Sequence, residues 1–226
     1  DNGTTALDIA ASTVGGDLTL TSGHASGITD SGNVTVGGNL AATTDANSGV
    51  IDMGTLRVDG TVALTTDGDG DATVVNDDDI AFAASTVGGD LTATATTSHI
   101  TDSGTLTITG ESTFITRATG SNIELDTSDN AFADAVTMKA ETDGSEAFGN
   151  ITFVDSGAVD FDSSGSSDGD LNINASSTNG AVGGNLSITA TTGNITQGIA
   201  LAVTGTSSFT TSANNTTITL SNTSNA

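Results

Sequence analysis

The chain has 226 residues, 28 acidic against 3 basic, and a formal net charge of −25. It holds no Cys, Pro, Trp or Tyr, and roughly a fifth of it is Thr. These counts exclude a disulfide framework, a Cys-based metal site and a Cys nucleophile, and they exclude nucleic-acid binding, which needs Lys and Arg clusters. Attraction to an anionic membrane fails for the same reason. The longest apolar runs are a few residues, so no membrane insertion is expected. No basic start followed by an apolar run marks a signal peptide.

Short runs that alternate apolar and polar residues follow one another along the chain. In order they include Asp17-Leu-Thr-Leu-Thr21, Leu56-Arg-Val58, Leu91-Thr-Ala-Thr-Ala95, Leu106-Thr-Ile108, Leu171-Asn-Ile173 and Leu186-Ser-Ile188. Period-two alternation bounded by Gly, Asn, Asp and Ser predicts strands. No stretch holds a 3.6-residue period, so the chain is predicted to be all-β.

Repeats organise these strands. TVGGDL occupies 13–18 and 86–91, TVGGNL 35–40 and AVGGNL 181–186. ITDSG occupies 28–32 and 100–104, with looser copies at 50–54, 153–157 and 194–198. The spacing implies a unit of about 20–26 residues. After each ITDSG-like block comes a triplet: Val34-Thr-Val36, Leu56-Arg-Val58, Leu106-Thr-Ile108, Val159-Asp-Phe161 and, one residue late, Leu201-Ala-Val203. The outer residues point to one face and the middle residue to the other, so the outer pair is predicted core. Such a unit cannot bury its apolar face alone. Stacked, it forms a parallel β-solenoid of about ten coils, with each strand on its equivalent in the next coil. Right-handed crossovers make a right-handed β-helix the expected form. At about 4.8 Å per coil the rod would be roughly 50 Å long. An antiparallel sandwich would not require near-identical strings at multiples of one period. The whole of 1–226 is expected to be one repeat region, cut within repeats at both ends. Its tail, 218–226, resembles 123–136, and its start, 7–18, resembles 79–91. That makes it a segment of a longer array or a filament subunit, joined end to end to neighbouring repeats or other copies.

The succession at 11–32, ASTVGGDLTLT followed by ITDSG, and the block at 200–226 with AVTGTSSFT and NNTTITL resemble the repeats of giant bacterial surface proteins. These are the filamentous haemagglutinin-like, β-strand-repeat exoproteins. The resemblance implies a secreted, cell-surface β-helical fibre serving adhesion, biofilm matrix or a coat, with host or cell-surface glycans among its partners. The N-terminal secretion domain of the best-known members is not in this sequence.

Candidate chemistry is sparse. Asp67, Asp69 and Asp71 alternate with Gly in a loop, a pattern suited to Ca²⁺ with oxygen ligands, though the glutamate of an EF-hand is missing. Asp77, Asp78 and Asp79 follow closely, and a second acidic stretch runs from Asp162 to Asp170. If calcium binds, EDTA lowers the melting temperature; an unchanged melt removes the site. The alternative is solvated turns. His24 and His99 lie between VGGDL and ITDSG blocks and read as turn residues. No triad is evident, and with no Trp or Tyr a polysaccharide-degrading enzyme lacks the usual sugar platforms. No enzyme is expected. A β-helical polysaccharide-binding protein is one alternative. A Thr-rich ice-binding solenoid is another, weakened because the triplet centres Thr35, Arg57, Thr107, Asp160 and Ala202 break a Thr array. Sequons at Asn150, Asn174, Asn185, Asn194 and Asn215 are expected by chance in such a composition. The reading is a structural rod segment.

Overall fold

The computed structural model describes residues 5–140, 149–162, 169–175, 178–179 and 181–226. Among these there are 27 strands and no helix. With one exception, the named strands pair in parallel; Leu171–Ala175 with Thr178–Asn179 is antiparallel. Lines of register partners run up the molecule. One passes through Leu7, Ile28, Ile51, Ala72, Leu91, Ser112, Val136 and Leu171. The fold is a parallel β-solenoid.

Partners on this line are 19 to 24 residues apart as far as Val136, then 35 apart to Leu171. The neighbouring line steps 28 residues from Ile123 to Ile151 and 35 on to Leu186. The longer coils reduce the count from the expected ten to about eight. The rod is correspondingly nearer 40 Å, at about 4.8 Å per coil.

Alternation places the core where expected. Val34, Val36, Leu56, Val58, Leu106, Ile108, Val159 and Phe161 are buried, whereas Arg57, Thr107 and Ala202 are exposed. The core also contains ring stacks. Phe82, Phe114 and Phe132 meet edge to face at centroid distances of 6.2 and 6.0 Å, and Phe153 follows at 5.2 Å.

The triplets do not form one ladder. Val34–Val36 pairs with Leu56–Val58, but Leu106–Ile108 pairs with Ser85–Val87 and Val159–Phe161 with Ile195–Gln197. The cause is a change of phase. Early coils run short, short, long, as in Ile28–Asp30, Val34–Val36 and Leu40–Thr44. After Thr61–Thr65 a second long strand, Ala72–Asn76, follows directly and stacks on Ile51–Val58. The next two short strands, Ile80–Phe82 and Ser85–Val87, then both land on Thr61–Thr65. Later coils run long, short, short. Thr35 and Arg57 are register partners, but the five triplet centres do not lie in one column, and they say nothing about a Thr array.

Asn76 closes the line that stops there. It is fully buried. Its Oδ1 accepts from the Val58 N–H at 2.8 Å, and its Nδ2 donates to the Val58 carbonyl at 3.2 Å and to the Asp79 carbonyl. An unpaired buried backbone group costs as much as a lost hydrogen bond; Asn76 supplies the partners the next strand would have given.

Candidate functional site

The repeated Gly-Asp/Asn pair has a physical reason. Asp17 Oδ1 accepts from the Asn39 N–H, and Asn39 Oδ1 accepts from the Thr61 N–H. A second column links Asp71 to Asp90 and Asp90 to Glu111 in the same way, each at 2.8 Å. A third runs through Asp79, His99, Asn122, Asn150, Asn185 and Thr206. In each step a side-chain acceptor takes the backbone N–H of the equivalent residue one coil on. Two of the three columns end on threonine: Thr61 and Thr206 each donate both N–H and Oγ1 to one Asn Oδ1.

The glycine makes room for this bond. A Cβ on Gly38, Gly89, Gly110 or Gly205 would strike the ladder oxygen from the coil before, on Asp17, Asp71, Asp90 or Asn185. Gly16 has the same motif, yet a Cβ there meets nothing within 4 Å. Gly110→Ala should therefore displace Asp90, lose its charge-assisted bond to Glu111 and cost about 1–3 kcal/mol. Gly16→Ala should be close to neutral. Paired thermal melts check this, with several degrees expected between the two.

The Asp of ITDSG holds the other corner. Asp30 accepts from the Gly54 and Thr55 N–H groups, and Asp102 from the Asp126 N–H and from Asn130 Nδ2. Both motif aspartates thus have structural partners.

The three sequence-predicted calcium ligands lie between Thr61–Thr65 and Ala72–Asn76. The Asp67 carbonyl accepts from the Gly70 N–H, the Asp69 N–H donates to Ser48 Oγ, and the Asp71 carboxylate is a ladder member. The structure does not gather them. The group it does gather, among the described residues, is Asp160, Asp162 and Asp170, with ligand oxygens within 4.8 Å of one another. Asp160 and Asp170 are bridge partners, and Asp160 Oδ1 is buried with no hydrogen-bond partner. Three carboxylates are the donor type a hard cation takes. Asp168 lies outside the described residues. Asp170 stands beside Asp160 through that bridge, a contact that spacing alone does not reveal.

The remaining candidates have local partners. Asp77 Oδ1 accepts from Thr96 Oγ1, Asp78 faces Arg57 at 3.3 Å and Asp79 is a ladder member. His24 Nδ1 accepts from the Ser26 N–H, whereas His99 Nδ1 takes the Asn122 N–H of the next coil. Only His99 joins a ladder. Stacked carboxylates such as Asp71, Asp90 and Glu111 repel by about 1 kcal/mol per pair in water. Raising NaCl from low millimolar to about 0.5 M should raise the melting temperature by several degrees, because a shorter Debye length screens these pairs.

Stacked coils, corner ladders and a repeat-encoded Gly-Asp/Asn rule define a β-solenoid repeat protein. The chain belongs to the family described as repeats of unknown function (DUF5649), whose model matches residues 1–50, 69–139 and 176–226. The unmatched stretches contain the coil where the phase changes and the 35-residue coil. No curated protein and no solved structure matches the chain.

Proposed function

We propose that the chain is a structural segment of an extracellular bacterial fibre or large cell-surface adhesin, in a filament, biofilm matrix or coat. The observation that carries this reading is the corner ladder from Asp79 to Thr206. It repeats one bond along the rod axis, a device that gives length and stiffness rather than an enclosed pocket. The net charge of −25 keeps such rods apart in solution. The role is mechanical and spatial, and no catalytic step is assigned.

Neighbouring repeats or other copies are the proposed end-to-end partners. Leu7, Ile9 and Leu18 in the first coil, and Phe209 and Leu220 in the last, are only partly buried. Ile218 is 44% exposed. Apolar edges of this kind favour further strand pairing.

Antibodies raised against 1–226 should label intact, unpermeabilised cells of the source organism, and external protease should remove the signal. Labelling that appears only after permeabilisation would overturn the surface reading.

A further inference from the structure

The coil of residues 201–226 has a twin inside the rod. Leu106–Ile108, Ser112–Thr116, Ile123–Leu125 and Asn130-Ala131 have their counterparts in 201–203, Ser207–Thr211, 218–220 and Asn225-Ala226. The two coils are built alike. Asn130 Oδ1 accepts from the Leu106 N–H at 2.8 Å, and Asn225 Oδ1 accepts from the Leu201 N–H at 2.9 Å. The inner twin shows what such a coil carries on top. Val136–Ala140 pairs in parallel with Ser112–Thr116, with Val136 opposite Ser112 and Met138 opposite Phe114. The Ser112 N–H donates to the Ala135 carbonyl at 2.9 Å, and Phe132 lies edge to face on Phe114. Ser112, Phe114 and Thr116 are at most 1% exposed under this cover. Their counterparts are more open: Ser207 is exposed, and Phe209 and Thr211 are only half-buried. Leu201, Val203, Ser207, Phe209 and Leu220 line a hollow of about 260 Å³ there.

We propose that this face takes a five-residue strand of a further repeat, supplied by another chain. The strand lies parallel to Ser207–Thr211 and is apolar at its first, third and fifth positions, as Val136, Met138 and Ala140 are in the twin. The proposal rests on the end-to-end reading above and narrows its partner. A strand added to an open sheet edge draws affinity from main-chain hydrogen bonds and selectivity from pockets for alternate side chains. The hollow beside Phe209 is such a pocket, and the middle residue of the incoming strand fills it. Ser207 and Thr211 flank Phe209 as Ser112 and Thr116 flank Phe114, so the outer positions suit residues the size of Val136 and Ala140. A second copy of 1–226 does not supply this strand from its own first coil. A strand on Ser207–Thr211 stands directly after 218–226 in the path of the coil. Leu18–Ser22 follows Leu7–Ile9 and Ser12–Val14, which would fall in the layer that 218–226 already fills. That layer is fixed: the Thr219 N–H donates to the Ile195 carbonyl and the Ala226 N–H to the Leu201 carbonyl.

The test titrates the 1–226 chain with a labelled peptide of residues 132–140, FADAVTMKA, the segment that covers the inner twin. The expected result is saturable binding, with hydrogen exchange slowed at Ser207–Thr211 and unchanged at Leu18–Ser22. The same peptide carrying Val136→Asn with Met138→Asn should bind at least about tenfold more weakly, because it loses both apolar contacts. The substitutions sit in the peptide, so the fold of the rod is untouched. No saturable binding, equal binding by the two peptides, or protection elsewhere on the rod overturns the proposal. Sedimentation of 1–226 alone as a dimer with Ser207–Thr211 already protected overturns it too, by making a second copy the occupant. Surface labelling of cells reads the fibre proposal separately, so either can fail without the other.

Discussion

Phe114→Ala should destabilise the rod by about 3–5 kcal/mol, the usual cost of emptying a buried Phe site. Phe114 is fully buried and meets Phe82 and Phe132 edge to face. Its register partners are Ala93 and Met138. Neither neighbouring coil can fill the space without leaving its own ladder. The loss should be local at first, because each coil contacts only its neighbours. Hydrogen exchange should show Leu91–Ala95 and Val136–Ala140 losing protection before Leu18–Ser22. Urea melts give the magnitude, and a loss below about 1 kcal/mol would contradict the core assignment.

Asn76→Ala should cost at least about 3 kcal/mol, although the side chain removed is small. The change leaves the Val58 N–H and carbonyl and the Asp79 carbonyl without their partner. Each buried unsatisfied group costs about 1–3 kcal/mol. Thr116 stands two coils on in the same line, equally buried, with one bond to the Ser121 carbonyl. Thr116→Val should therefore cost no more than about 1 kcal/mol. Equal losses at the two positions would mean that Asn76 does not close the middle line. Chemical melts of both variants decide it.

The contrast between these residues marks what the sequence could show. Phe114 follows the period-two pattern of Ser112–Thr116, so its burial was legible. The VGG(D/N)L and ITDSG strings were visible as repeats. Their cause was not, because the oxygen that excludes a Cβ from Gly110 belongs to Asp90, a full coil earlier. Asn76 belongs to none of the repeated strings, and nothing local distinguishes it from other polar strand ends. The phase change was hidden for a related reason. Two long strands in succession leave each strand's own alternation intact while moving every later strand to a new line. For the carboxylates, the ladder bond from the Asp90 N–H to Asp71 was not legible in the spacing of Asp67, Asp69 and Asp71, because its partner lies a coil away.

Pulling single 1–226 molecules by their ends tests whether each coil is held to the next by its own ladder and bears load in turn. A series of steps is expected. Most should release one coil of 19–24 residues, about 65–85 Å of chain. A longer step should come from the 35-residue coil. Smooth extension at low force, or one all-or-none release of the whole chain, would contradict it.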